Sequence, residues 1–413
     1  MEVGSPRQPS RYDPAVRSPQ PRSARPWLIA LAVVFVSLIV VAGYLVYSDR
    51  HSTVPPAAAS PAAGPPKPEL APPTEPVCGD DALLRMPLRD KLAQLLMVGV
   101  TGADDARAVI ANHHVGGIFI GGWTDLSMLT NGTLPEITTA GPLPAAVSVD
   151  EEGGRVDRLK KLIGPAPSAR SLPATSTPDA VYELAKQRGL AMRKLGITVD
   201  FAPVVDVSDQ PDNTVIGDRS FSDDPDTVTA YAGAFARGLR DAGLLPVLKH
   251  FPGHGHGSGD SHTASVVTPP LDQLNRVDLV PYRTLVDQRP VAVMVGHLQV
   301  PGLTGDVPAS LSPAAIDLLR TGGYGAPPFN GPVFTDDLSS MQAISDRYGV
   351  AQAVLMALQA GADTALWVTT TEVPAVLDRL QAAVNGGELT THAVDQKVLR
   401  MAAVKPRSSR CPH

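Results

Sequence analysis

Cysteine is nearly absent from the 413 residues: only Cys78 and Cys411 occur, so no disulfide framework can stand in for a packed core. Aromatic residues make up 5%, with Trp27, Trp123 and Trp367 the only tryptophans, thin provision for a long groove that stacks sugars or bases. Positive charge is not in excess either. A net charge of -6 gives no chain-wide basic field, which excludes a nucleic-acid partner held by phosphate neutralisation. The chain does have length, a 43% hydrophobic share and 41 prolines. Length and hydrophobicity allow one large domain with its own core. So many prolines cannot all sit inside regular elements, so part of the chain must be extended.

Trp27 to Tyr47 is a run without a single charge, and at about 1.5 Å per residue it spans roughly 30 Å of hydrocarbon. It is too long for a signal-peptide core of about 7 to 15 residues, so a retained transmembrane anchor is preferred to a cleaved signal. Ahead of it Arg7, Arg11, Arg17, Arg22 and Arg25 outweigh Glu2 and Asp13, which keeps the N-terminus cytoplasmic and points the rest of the chain outward. Val54 to Pro76 is rich in proline and alanine and poor in large apolar residues, so it reads as an extended stalk. The expected organisation is a basic tail (1-26), an anchor (27-47), a linker (48-78), one domain (79-405) and a short tail (406-413). Cys78 and Cys411 flank that domain, and in an oxidising compartment an intrachain disulfide could join them.

Within the domain, short β-branched runs alternate with amphipathic helical stretches. Strands are expected near Leu96-Val100, Val115-Ile120, Ala145-Val149, Ile197-Phe201, Leu245-Leu248, Val291-Val295, Pro332-Thr335 and Thr364-Val368. Helices are expected over Asp179-Leu195, Asp226-Ala242, Leu271-Val286, Ala351-Ala360 and Val373-Val384. Eight such units predict an α/β fold, a single (β/α)8 TIM-type barrel. A doubly wound open sheet is the alternative, but no GxGxxG fingerprint follows the first strand.

Polar residues gather where these strands end. Asp150 follows the third, Lys249 and His250 the fifth, His297 the sixth, and Asp336 with Asp337 the seventh. The C-terminal ends of barrel strands carry active sites, and buried charges there call for a shared polar pocket. Any single Asp could instead merely cap the next helix; that does not account for the Lys and His. The densest segment, KHFPGHGHGSGDSH from Lys249 to His262, is a glycine-rich loop. On residue types alone its four histidines with Asp260 could ligate a metal. Alternatively Asp260 and His262 form a pair in which the carboxylate fixes the imidazole tautomer and supports a proton shuttle.

That segment resembles the β-N-acetylhexosaminidase branch of glycoside hydrolase family 3, peptidoglycan-recycling type. VDEEGGRVDRL from Val149, DFAPVVD and IGDRSF between Asp200 and Phe221, and GPVFTDDLSSM from Gly331 are similar to that family's further blocks in order. Together they cover about Leu83 to Thr370. The resemblance implies Asp336 as nucleophile, His262 as acid/base and Asp260 as its partner. Asp150, Arg158, Arg219, Lys249 and His250 would hold the sugar, and no metal or cofactor is needed. It also implies a retaining exo-β-N-acetylglucosaminidase acting on small amino-sugar glycosides such as muropeptide fragments. Glu151 and Glu152 are rivals for the acid role, and His254 and His256 read as loop-packing residues. Two departures stand out: Glu151 where the family often has glutamine, and an extra Ser340. The alternatives are a β-N-acetylglucosaminide phosphorylase and, on the histidine loop, a metal-dependent hydrolase.

Overall fold

Eight apolar runs form eight parallel strands: β1 (Leu96–Gly99), β2 (Gly117–Ile120), β3 (Ala146–Val149), β4 (Val199–Asp200), β5 (Leu245–Phe251), β6 (Ala292–Val295), β7 (Val333–Thr335) and β8 (Ala365–Trp367). Every residue in them is buried, as expected for strands covered on both faces. The order is β7-β6-β5-β4-β3-β2-β1-β8, and a parallel bridge from Phe334 to Thr364 joins the two ends. The result is a near-closed parallel barrel of the TIM type. This computed structural model describes residues 79–405. The expected tail, anchor and linker, the Cys78 and Cys411 pair and residues 406–413 lie outside the described residues. Among the described residues no helix is long and apolar enough to cross a membrane.

Strand side chains alternate between the two faces. Met97, Phe119, Val247, Met294, Phe334 and Leu366 belong to an inner cluster that fills the barrel. Their neighbours Val98, Ile118, Leu248, Val293, Val333 and Trp367 pack in the outer core under the helices. Phe201 sits at the centre of the plug, 5.8 Å from Phe119 and 5.5 Å from Phe334 between ring centroids. Residues two positions further along a strand face the same way. Ser148, Val247 and Phe334 are therefore followed by Asp150, Lys249 and Asp336, all aimed at the space above the plug. The periodicity that builds the barrel also delivers its polar residues to one mouth.

Two long helices, α1 (Pro178–Lys194) and α2 (Pro225–Asp241), start where their sequence says they should. The Thr177 and Asp224 side chains accept from Ala180 N and Thr227 N, each with proline just inside the helix. They pack closely because Gly238 has no side chain: a Cβ there would stand 2.4 Å from the Tyr182 carbonyl oxygen. Two expectations needed correction. The predicted helix over Leu271-Val286 is two short helices, Leu271–Leu274 and Val280–Leu285, because Pro281 lacks the N–H that a continuous helix would need. The fifth strand runs on to Phe251 instead of ending at Leu248, so Lys249 and His250 belong to the sheet, beyond a register irregularity.

Candidate active site

The floor of the site is a chain of buried ion pairs. Lys249 Nζ lies 2.6 Å from Asp150 Oδ1 and 2.6 Å from Glu152 Oε1, with 3% of its side chain exposed. Burial alone would pull its pKa down, and the two carboxylates hold it above the ordinary lysine value. Glu152 receives Arg219 in a two-pronged contact, Nε to Oε2 at 2.7 Å and Nη2 to Oε1 at 2.9 Å. Against burial, which would raise it, Arg219 and Lys249 keep Glu152 well below the usual carboxylate range. Arg219 Nη2 is 3.4 Å from His250 Nε2, and His250 Nδ1 is 2.7 Å from Asp206 Oδ2. Asp206 is wholly buried and also accepts the N–H groups of His254 at 2.7 Å and His250 at 3.2 Å. Burial works against its charge, but the His250 imidazole and these donors hold its pKa below the usual value.

A turn in the EEGGR segment brings part of this floor into place. Residues Glu151–Gly153 fold back on Val156–Asp157, and Gly153 and Gly154 take φ of 91° and 58°, a conformation that favours glycine. The turn carries Glu152 under Lys249 and sends Arg158 to the rim.

Asp336 lies just beyond β7, partly open to a cavity of about 150 Å³. Asp150, Arg158, Arg219, Lys249, His250 and His262 line the same cavity. The Asp337 N–H donates to Asp336 Oδ1 at 2.9 Å. Burial would raise the pKa of Asp336, but His250, His297, the Asp337 N–H and Lys249 outweigh it and bring it down to about 2. The carboxylate is therefore ionised at any ordinary pH.

The loop after β5 is built differently. His262 Nδ1 is 2.7 Å from Asp260 Oδ1, the same oxygen accepts the His262 N–H at 2.9 Å, and 58% of the His262 side chain and 41% of the Asp260 side chain are exposed. With Nδ1 held by the carboxylate, Nε2 is the nitrogen left to exchange a proton. Two of the contacts that hold the loop join it to the rest of the site. Near its start His254 N donates to Asp206, and at its tip the Ala343 and Gln342 N–H groups donate to the Ser261 and His262 carbonyls at 3.2 and 3.4 Å. The second tie comes from the segment that follows Asp336, so both halves of the site hold one another.

Seven of the eight residues expected at the site face this one cavity; the eighth, Asp260, reaches it through His262. Of the rivals, Glu152 is bound to two cations and has no proton to give. Burial and the neighbouring Asp157 push Glu151 up to about 7, a value that would suit an acid, but it does not face the cavity. It is wrapped by Arg188, with Nε to Oε1 at 3.0 Å, and by the Leu159 N–H at 2.9 Å. His254, read from the sequence as a loop-packing residue, also lines the cavity; burial first, and then the charge of His250, lowers its pKa to about 4, so it is neutral there. His256 pairs with Asp278 at 2.9 Å, away from the cavity. Asp337 turns its carboxylate to the N–H groups of Ser339 at 2.8 Å and Ser340 at 3.1 Å, within the turn that follows β7. Since each loop histidine near a carboxylate has its own partner, no three His, Cys, Asp or Glu side chains among the described residues cluster as a metal site.

Sequence reasoning did not single out Asp206, and it named Glu152 only as a rival acid, without its place between Lys249 and Arg219. The available signal was a lone acid inside the apolar run APVVDV, where an unpaired carboxylate would be too costly to bury.

The Glycosyl hydrolase family 3 N terminal domain profile matches residues 87–404. The beta-hexosaminidase LpqI of Mycobacterium tuberculosis is 62% identical over 381 residues, covering 91% of this chain and 98% of that protein. Among solved structures, a glycosyl hydrolase of the GH3 family from Mycobacterium smegmatis is 70% identical with a TM-score of 0.78, covering 79% of this chain and 99% of that one. A family 3 β-N-acetylglucosaminidase from Paenibacillus sp. is 35% identical with a TM-score of 0.72, covering 77% of this chain and 62% of that one.

Proposed function

This chain belongs to glycosyl hydrolase family 3 as a β-hexosaminidase, and from that premise we propose that it is a retaining exo-β-N-acetylglucosaminidase that removes terminal N-acetylglucosamine from peptidoglycan-derived fragments. The observation that carries this reading is that an ionised carboxylate, Asp336, and a carboxylate-held imidazole, His262, line one sugar-sized cavity. In the first step Asp336 attacks the anomeric carbon while the bond to the leaving oxygen breaks, and that oxygen takes the proton on His262 Nε2. Asp260 stabilises the imidazolium that supplies it. In the second step His262 takes a proton from water as it attacks the same carbon, the ester to Asp336 breaks, and the sugar leaves with its configuration retained. Asp150, Lys249, Arg219 and Arg158 are the groups that fix the sugar hydroxyls before attack.

An aryl β-N-acetylglucosaminide followed by NMR from the first turnover tests the reaction. The β-hemiacetal is expected first; the α-hemiacetal first means inversion and overturns the mechanism. The aryl β-glucoside, with hydroxyl in place of acetamido, should be turned over far more slowly, and added phosphate should leave the free sugar as the product. The charge-free Trp27 to Tyr47 run and the arginines before it support a location anchored in the membrane with the catalytic domain outside. Protease treatment of intact cells should then remove the domain, and a domain protected until lysis would contradict that placement.

A further inference from the structure

Arg219 reaches the sugar site from a stretch of chain, residues 205–216, that has no helix or strand of its own. Such a stretch keeps one shape only if its carbonyl groups find donors. Arg155, at the tip of the 151–157 turn, supplies them. Its Nη1 donates to the Asp212 carbonyl at 2.7 Å, and its Nη2 to the Val215 and Ile216 carbonyls at 2.9 and 3.1 Å and to that of Thr214. Nε stands 3.3 Å from Asp218 Oδ1. A planar fork of N–H groups suits this work, and the point charge of a lysine would not.

Val215 is where this clamp meets the site. Its carbonyl oxygen accepts from Arg155 Nη2 at 2.9 Å and from Arg219 Nη1 at 3.0 Å, one hydrogen bond for each lone pair. Nε and Nη2 of Arg219 are taken by Glu152 at 2.7 and 2.9 Å. Arg219 is thus fixed from both sides by one turn, directly by Glu152 and through Val215 by Arg155. Two guanidinium groups on one oxygen repel each other, and Glu152 beside one and Asp218 beside the other offset that repulsion. Arg155 itself does not line the catalytic cavity, whereas Val215 and Arg219 do. Arg170 also binds this region, but elsewhere: Nη2 donates to the Ser208 and Gly217 carbonyls at 2.9 and 2.8 Å and Nε to that of Ser220 at 3.2 Å, none of them a partner of the Arg219 side chain.

We propose that Arg155 is a positioning residue for the sugar site, one that sets the direction of Arg219 through the Val215 carbonyl. The proposal rests on the glycosidase reading above and adds to it a residue that acts on the sugar without touching it.

The test is a double-mutant cycle on the full chain with an aryl β-N-acetylglucosaminide: wild type, Arg155→Ala, Arg219→Lys and the double variant. Arg219→Lys keeps a charge beside Glu152 but gives up the fork. Arg155→Ala should raise KM about tenfold and leave kcat within about threefold, since it weakens a contact made equally to bound sugar and transition state. A role in folding alone would do the reverse, lowering kcat through the fraction of active molecules and leaving KM alone. In the Arg219→Lys background Arg155→Ala should cost less than about twofold more in kcat/KM, because the group it aims is already gone. If Arg155→Ala does not fold, Arg155→Lys takes its place in the cycle with the same signs. Losses that multiply, a wild-type KM, or a fall confined to kcat would overturn the proposal. A wild type that fails to cleave the glycoside overturns the glycosidase reading instead, which keeps the two failures apart.

Discussion

Lys249 touches two carboxylates with 3% of its side chain exposed, whereas His262 touches one carboxylate with 58% exposed, and the two face the same cavity. The floor holds its charges in a fixed network from Asp150 through Lys249, Glu152, Arg219 and His250 to Asp206, and each member is the reason the next can be buried. The loop holds its imidazole by one side chain and a few backbone contacts. The difference fits the two tasks proposed for them. A sugar must be bound in one orientation, which favours donors that cannot move, and charge fixed in a dry site costs nothing to reorganise during reaction. A proton shuttle must exchange with the leaving group and then with water, which favours an imidazole open to solvent.

The largest effect should come from Asp336→Asn, which removes the charge of the proposed nucleophile while keeping its shape. Turnover should fall by about 10⁴-fold, equivalent to about 5.4 kcal/mol, with little change in Tm, and near wild-type turnover would remove Asp336 from the chemistry. His262→Ala should cost about 10²- to 10³-fold on a disaccharide and much less on an aryl glycoside whose leaving group needs little protonation; equal losses on both would refute the proton role.

Stability separates floor from loop more directly than activity does. Asp206→Ala strips a buried carboxylate from His250 and from two backbone donors and should cost about 3–5 kcal/mol in a urea titration. Asp260→Ala, which breaks an exposed pair of similar length, should cost about 0–1 kcal/mol. Similar costs for the two would erase the distinction between floor and loop.

The smallest expected change is in pH dependence. A carboxylate whose folded pKa is lowered to about 2 stays charged at all higher pH, and it is lost only as pH falls through that value. For an activated aryl glycoside, kcat/KM reports only the first chemical step and should be flat between about pH 4 and pH 7. An acid limb in that window that moves with substitutions at Lys249 would show that Asp336 titrates there.

Much of the fold could be read from the chain. All eight strands were expected within a few residues, because strands buried on both faces leave apolar runs with few rivals. Helix Leu271-Val286 failed because three-to-four spacing continued through Pro281, which cannot supply its N–H. The fifth strand was cut short because Lys249 and His250 are too polar to read as sheet. Their burial depends on Asp150, 99 residues earlier, and on Asp206, 44 residues earlier. Pairings across such separations leave no periodic trace. The same reason hid the parts played by Glu152 and Asp206, whereas Asp260 and His262, two residues apart, could be paired from sequence alone.

The most direct test is to trap the glycosyl-enzyme. A fluorinated N-acetylglucosaminyl donor that slows the second step should add one sugar mass to the full chain, and after trypsin digestion the label should lie on Asp336 within the Thr321 to Arg347 peptide. A sugar found on any other carboxylate, or steady turnover of the donor with no adduct at any time, would contradict the account.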